Sequence, residues 1–399
     1  MNSPLPATKT PSTSTNFAQF VTGATGFVGG ALVLELLQRT SDVIVCLVRP
    51  GEQDPQQRLW QAIDAACDAY DAPSELREVA RERVVAVAGD VEQTMCGVSL
   101  ARIPQLRYRS FWHSAASLRF EDRYVEQIMA INVAGTRHAL ALASELGVLD
   151  FNSMSTAYVV GQAKGVMLEE RQNGSPPNNL YEKSKIEAEE MILAAKHFAV
   201  RIFRPSIVIG HSRTYGATNF TGMYGLLRQL FNFESMMART QEDFLQNESL
   251  RLRVDVGSAV DLVPVDRVVA NAVSVWLATQ DNVKAGHAEF YHLNNPTPPT
   301  IDGLLNLMFS MIGIKSPIFL TNDEQMGEMQ WLDEKFNSRI EFYRSYFRNH
   351  KVFDRQNLTS IVGAEDPSYY AMDDEVLRKY CDWYMQKLLL ERANMPSTR

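Results

Sequence analysis

The stretch Thr22-Gly23-Ala24-Thr25-Gly26-Phe27-Val28-Gly29 constrains the fold of this chain more than any other. It joins a short apolar run, residues 17–22, to residues 27–38, in which Val28, Leu32, Leu36 and Leu37 recur at helical spacing. Glycines between a strand and a helix permit a tight turn and close backbone approach. The helix N-terminus that follows favours a bound pyrophosphate. A glycine loop that merely packs is the competing reading, and the flanking strand and helix disfavour it.

The rest of the chain repeats that alternation. Residues 42–48 form a nearly continuous apolar run, the pattern of a strand covered on both faces. Residues 56–72 and 74–83 read as a helix pair, longer than a minimal crossover needs. Strands are expected at 84–88, 110–114, 150–155 and 199–204, with helices at 125–146 and 179–197. This order predicts an α/β chain with a doubly wound parallel sheet and right-handed crossovers. From 215 to about 248 the composition shifts to Met, Phe, Tyr and Leu on an expected helix. A strand-like run then reaches Asp266, and a helix continues to Leu277. Beyond Asn295 the chain reads as helical and aromatic-rich, with Trp331, Phe336, Phe342, Tyr343, Tyr346 and Phe347. The expected organisation is a flexible tail (1–16), a dinucleotide-binding domain (17–295) with a substrate-cap insertion at about 215–250, and a helical C-terminal substrate region (296–399).

Composition narrows the function. A net charge of −8 argues against a general nucleic-acid or membrane-surface protein. Residues 1–16 carry Pro, Ser and Thr but no apolar run, so they do not read as a secretion signal. No stretch approaches the roughly 20 apolar residues that span a bilayer. Residues 304–314 come nearest and read as a buried helix. Cys46, Cys67, Cys96 and Cys381 have neither metal-ligand nor redox spacing, and the seven histidines show no metal-binding pair, so no metal is expected. The expectation is a soluble, cytoplasmic protein.

The second strand's end bears on which dinucleotide is bound. An acidic residue there would bond the 2′-OH of NAD. This chain has Leu47-Val48-Arg49, and a guanidinium pairs bidentately with the 2′-phosphate of NADP. Arg58 is expected to add a second positive charge; a solvated surface arginine is the alternative. Asp90, after the third strand, is placed to accept from the adenine amino group beside the Val91 backbone, or it caps a turn. Ala115, after the fourth strand, is small enough for the cofactor to lie flat. In the glycine turn the expected contacts are Gly23, Thr25, Gly26, Phe27 and Val28.

Tyr181 and Lys185 stand one helical turn apart and share a face. An ammonium beside a phenol lowers its pKa from about 10 and makes it a competent general acid toward a carbonyl gaining charge. Lys185 is also expected to hold the nicotinamide ribose. A third hydroxyl for the substrate oxygen is sought at Thr156, with Ser155 and Ser153 competing. Asn132 is a candidate support, and His113 reads as a satisfied core histidine.

TGATGFVGG, Asp90, HSAA (113–116), INVAGT (131–136), STAYVVG (155–161), YEKSK (181–185), RPSIVIG (204–210) and VDLVPVD (260–266) occur in this order. Together they resemble the extended short-chain dehydrogenase/reductase family over about residues 17–295. The resemblance favours Thr156, five residues before Gly161, as the catalytic hydroxyl. It also implies cofactor contacts at Pro205, Ser206 and Ile207. CLVRP (46–50), GDVEQTMCGVS (89–99), AASLRF (115–120), STAYV and the Phe353-Asp354…Asn357-Leu358 region resemble fatty acyl reductases and carrier-bound thioester reductases more narrowly. That branch implies NADPH-dependent reduction of an acyl-CoA or acyl-carrier-protein thioester to an aldehyde, sometimes on to the alcohol.

Two other functions compete. One is an epimerase, dehydratase or hydroxysteroid-type dehydrogenase acting on a secondary alcohol or ketone. The other is a non-catalytic NADP-sensing scaffold. Phe220, Met223, Tyr224, Leu227, Leu230 and Phe231 either line an acyl tunnel or form ordinary core. Arg213, Arg228, Arg239, Arg251 and Arg253 either meet CoA phosphates or an acidic carrier, or form a solvated face. Oligomeric state is not readable from the sequence.

Overall fold

A computed structural model describes residues 17–172, 174–237, 248–282, 284–320, 330–343, 346 and 351–393. The expected tail (1–16), Arg239, Phe347 and the side chain of Phe342 lie outside the described residues.

The first half alternates as expected: β1 (Phe17–Thr22), α1 (Phe27–Arg39), β2 (Val43–Val48), α2 (Pro55–Tyr70), α3 (Ser74–Arg83), β3 (Val84–Ala88) and β4 (Arg107–His113). β2 is buried at every position, as its unbroken apolar run requires. β4 starts three residues before the expected strand. Arg107 and Arg109 point outward between buried neighbours, and this charged alternation hid its beginning. α4 (Val125–Met129) passes through a π-helical turn (Ala130–Ala134) into α5 (Gly135–Glu145). Then follow β5 (Asp150–Met154), β6 (Gly165–Met167), α6 (Leu180–Ala194), β7 (Ala199–Pro205), β8 (Ile207–Ile209), α7 (Met223–Met237), β9 (Arg251–Arg253), β10 (Leu262–Pro264) and α8 (Val265–Thr279). The chain continues through β11 (Ala288–Leu293), α9 (Ile301–Ile312), β12 (Ile318–Leu320), α10 (Trp331–Arg339), β13 (Lys351–Phe353), α11 (Gln356–Val362) and α12 (Asp374–Ala393).

Seven strands form one parallel sheet in the order β11-β7-β5-β4-β1-β2-β3. The chain winds outward from β1 to β3, then returns to β4 on the other side of β1. This leaves a crevice at the carboxyl ends of β1 and β4, where such sheets bind ligands. β11, absent from the sequence reading, pairs in parallel with β7 and extends the sheet. Val21, Cys46, Trp112, Phe203 and residues of α1 and α8 form the core on one face. Phe20, Phe111, Phe151 and residues of α5 and α6 form it on the other.

A separate core joins α7 to α9, α10 and α12. The segment from β13 to Tyr370 does not join it. β13 pairs with β6, and Leu358 and Tyr370 pack into the sheet core on the α1 and α8 side. Glu169 ties this return together, accepting from the N–H groups of His292 (2.7 Å), Asn357 and Leu358 (3.3 Å). A carboxylate at the start of α11 also complements the partial positive charge of a helix N-terminus.

Candidate active site

The glycine turn is enforced by backbone packing. Gly23 has φ +76°, and a Cβ there would lie 2.6 Å from the Ser114 carbonyl carbon and the Ala115 nitrogen. A Cβ on Gly29 would lie 2.1 Å from the Gly23 oxygen. The Gly26 N–H donates to that oxygen at 2.9 Å, closing the turn. Gly26 caps α1 with no side-chain hydrogen bond, and Thr25 and Gly26 are exposed. The leading N–H groups of α1, including those of Phe27 and Val28, therefore face outward without a capping side chain, a cradle that fits a pyrophosphate. Beside it the Ala115 N–H donates to Thr22 Oγ1 at 3.3 Å, which fixes the end of β4 to the end of β1.

The far end of the crevice carries charge. Arg49 Nε lies 3.1 Å from Asp90 Oδ2, and Arg49 Nη2 lies 3.2 Å from Glu92 Oε1. Arg58 Nη1 donates to the Arg49 carbonyl, tying α2 to the end of β2. Half of the Arg49 side chain is exposed, which leaves it accessible to an anion. Val91 is buried, and its carbonyl accepts from His138 Nδ1 at 2.8 Å.

Thr156 and Tyr181 come together across 25 residues of chain, with the Thr156 hydroxyl within reach of the Tyr181 phenol. Thr156 Oγ1 also accepts from the Tyr158 N–H at 3.3 Å and donates to the Pro205 carbonyl at 3.5 Å. Tyr181 enters on the first turn of α6. The Asn179 side chain caps this helix by accepting from the Glu182 N–H at 2.9 Å, and Glu182 accepts in return from the Asn178 N–H at 2.7 Å.

The electrostatics differ from expectation at one point. Burial raises the Tyr181 phenol above its ordinary value; the Thr156 hydroxyl works against this, and the Glu182 carboxylate adds to it. Lys185 does not lower it. Its Nζ turns to the end of β5 and donates to the Met154 carbonyl at 2.8 Å. Burial pulls the Lys185 ammonium down to about 8, and the Glu189 carboxylate opposes that shift.

Glu189, missed in the sequence reading, continues the Tyr181 and Lys185 face by one more helical turn. Arg204 clamps it with Nε at 3.1 Å and Nη2 at 2.7 Å, and Ser155 Oγ donates to it. Ser155 is thus engaged away from Tyr181. Ser153 is buried within β5, paired along the sheet with His113 and Ile202. The i+4 spacing was the available signal for Glu189. Nothing local pointed to Arg204 as its partner.

The surrounding groups are structural supports. Asn132, in the π-helical turn, accepts from the Ser117 N–H at 2.7 Å and donates to Ser184 Oγ at 2.8 Å. It thereby joins the loop after β4 to α6. Burial, with the Lys185 charge acting in the same direction, pulls His113 down to about 3, and it sits between Thr22 (2.8 Å) and Thr136 (3.2 Å). It is a satisfied core histidine. Ser206 Oγ donates to Asp261 Oδ1 at 2.6 Å, and Ile207 packs partly buried against the second core.

Two other readings are resolved by packing. Met223, Tyr224, Leu227 and Leu230 are at most 3% exposed inside the second core, so they are not free to line a tunnel; Phe220 and Phe231 sit at its edge. Arg228 donates to Tyr384 Oη at 2.6 Å, and Arg251 pairs with Asp333 at 3.4 Å. Both are therefore committed within the fold. Arg253 is half-buried and Arg213 is exposed. Among the described residues no helix is long and apolar enough to cross a membrane.

Known proteins share this chain's family and fold. The family described as male sterility protein matches residues 21–273. A linear gramicidin synthase of Brevibacillus parabrevis is 25% identical over 387 residues, 92% of this chain and 7% of that protein. Fatty acyl-CoA reductase 2 of Homo sapiens is 33% identical over 144 residues, 35% of this chain and 27% of that protein. These alignments thus span less than a third of either relative. The terminal R domain from the myxalamid PKS-NRPS biosynthetic pathway shares the fold with a TM-score of 0.73 at 25% identity, covering 96% of this chain and 93% of that one. A UDP-glucose-4-epimerase from Stenotrophomonas maltophila, with a TM-score of 0.63 at 14% identity over 94% of this chain and 99% of that one, shares the fold alone. The chain belongs to the male sterility protein family, within the thioester reductase branch of the extended short-chain dehydrogenases/reductases.

Proposed function

We propose that the chain is an NADPH-dependent reductase of an acyl thioester, releasing an aldehyde and, in a second round, the alcohol. The observation that carries this reading is the Thr156–Tyr181 hydroxyl pair, held beside a buried Lys185 on an extended short-chain reductase fold. The relatives named above favour a thioester over a sugar nucleotide, either a CoA ester or one delivered by an acyl-carrier protein.

When bound, the cofactor supplies hydride to the carbonyl carbon. The chain's own residues do the rest. The glycine turn and Lys185 hold the cofactor, and Arg49 faces the 2′-phosphate. Thr156 and Tyr181 lie within reach of each other, and the substrate oxygen enters between them. Burial keeps the Tyr181 phenol protonated at neutral pH, so it has a proton to give to the oxygen as negative charge develops there. The resulting thiohemiacetal then breaks its C–S bond, the thiolate departs with the bonding pair, and the carbonyl re-forms as its hydroxyl proton is lost.

NADPH oxidation with long-chain acyl-CoA, with aldehyde or alcohol identified as product, tests the reading. Turnover of sugar nucleotides or steroids with no thioester activity overturns it. Tight NADPH binding with no turnover on any carbonyl would leave a sensing scaffold instead.

A further inference from the structure

Tyr346, Lys351 and Phe353 of the C-terminal chain reach residues that flank the catalytic pair. The Tyr346 side chain lies within reach of that of Asn179, the residue that caps α6 just ahead of Tyr181. Its ring meets the Tyr158 ring edge-on at 4.6 Å between centroids, and Tyr158 is the residue whose N–H holds Thr156 Oγ1. Phe353, on β13, packs edge-on against the same Tyr158 ring at 5.8 Å. Phe353 also closes a small core with Ala157, Val160 and Met167, directly behind the Thr156 loop. Lys351, at the start of β13, acts electrostatically on Glu182, the buried partner in the α6 cap.

The arrangement is therefore bipartite. The sheet and α6 supply Thr156 and Tyr181, but the cap of the Tyr181 helix and the ring behind Thr156 are both held by residues far along the chain. A helix's first turn has unpaired N–H groups and frays unless it is capped. A small displacement of the general acid from the reacting oxygen costs much of its catalytic effect.

We propose that Tyr346, Lys351 and Phe353 act together as a strap that positions the general acid: they pin the α6 cap through Asn179 and Glu182 and the Thr156 loop through Tyr158. These are positioning residues, and their role in turnover rests on the function proposed above. The strap couples substrate reduction, rather than cofactor binding, to the docking of the C-terminal region.

The test compares the full wild-type chain with Tyr346→Ala, Tyr346→Phe, Lys351→Met and Lys351→Arg. Amide hydrogen exchange is read at residues 178–186, with residues 17–39 as internal control. NADPH affinity and kcat with a long-chain acyl-CoA are measured alongside. Expected for Tyr346→Ala is roughly tenfold or faster exchange at 178–186, unchanged exchange at 17–39, NADPH affinity within about twofold, and kcat lowered about tenfold or more. Tyr346→Phe keeps the ring and loses the hydroxyl near Asn179, so it falls between. Lys351→Met lowers kcat severalfold and Lys351→Arg restores it to within about threefold. Unchanged exchange at 178–186 in Tyr346→Ala overturns the strap, as does a loss of NADPH binding in parallel with activity, which marks general loss of fold. Failure of the thioester reading shows separately, in a wild-type chain that consumes no NADPH with acyl-CoA, and the exchange comparison then still decides the strap.

Discussion

The glycine turn and the catalytic face stand at the two sides of one crevice but are built by different means. The turn is largely local: Gly26 and Gly29 meet the Gly23 backbone, and Ser114 and Ala115 are the atoms nearest to Gly23 from elsewhere in the chain. The catalytic face draws on four separated segments: the loop with Thr156, α6 with its cap Asn179 and with Tyr181 and Glu189, β7 with Arg204, and the chain at Tyr346. The turn specifies a backbone shape, which a short sequence can encode. The face specifies the protonation and placement of side chains, and burial with distant partners decides both.

The cleanest way to separate the two sides is Tyr181→Phe. It removes the proton donor and leaves the turn intact. Turnover should fall by about 10²–10⁴-fold while NADPH affinity stays within about twofold, read by steady-state rates and fluorescence titration. A parallel fall in affinity would mean that the two sides are not independent. Gly29→Ala attacks the other side. Its Cβ would meet the Gly23 oxygen at 2.1 Å, so the turn must open. Cofactor affinity should drop by roughly a hundredfold, the scale of a steric misfit in a well-packed backbone. A variant that binds normally would show that the turn is not sterically set.

Glu189→Gln probes the face through a buried charge. It leaves Arg204 without its carboxylate, a loss of about 3–5 kcal/mol for a broken buried pair, measurable as a lower denaturation midpoint. It also withdraws the group that holds the Lys185 ammonium up. Lys185 carries its charge below its pKa of about 8 and loses it above, so activity should decline as pH rises through that value. In Glu189→Gln the decline should begin at lower pH, and a pH–rate profile identical to wild type would remove Lys185 from the ionisation that matters. Arg49→Ala has the smallest expected effect. It should reduce the preference for NADPH over NADH by about tenfold, the equivalent of one charge-assisted hydrogen bond. No change in that preference would leave Arg49 to its pairing with Asp90 and Glu92.

Much of the sheet was legible because strands covered on both faces must be apolar throughout, as β2 is, and the turns that follow carry glycine or Asp. β11 escaped because Glu289 and His292 interrupt its apolar pattern; in the fold Tyr291 Oη donates to Glu289 at 2.9 Å and His292 Nδ1 donates to the Asp354 carbonyl at 2.8 Å. On the catalytic helix, i and i+4 spacing put Tyr181 and Lys185 on one face, but not where the ammonium points. The sequence reading had it acidifying the phenol; in the structure the Met154 carbonyl captures it, since a buried ammonium needs an acceptor and the end of β5 offers one. The α7 residues were equally consistent with a tunnel wall and with core, because apolar spacing reports a buried face and not what buries it.

Spacing along a few residues was enough to specify the parallel sheet, the cradle at the start of α1 and the helix face shared by Tyr181, Lys185 and Glu189. Folding in three dimensions was needed to bring Thr156 to Tyr181, to commit Ser155 to Glu189, and to return Tyr346 to the α6 cap. Those pairings join positions dozens to more than a hundred residues apart, and desolvation sets their charges once the chain has closed around them.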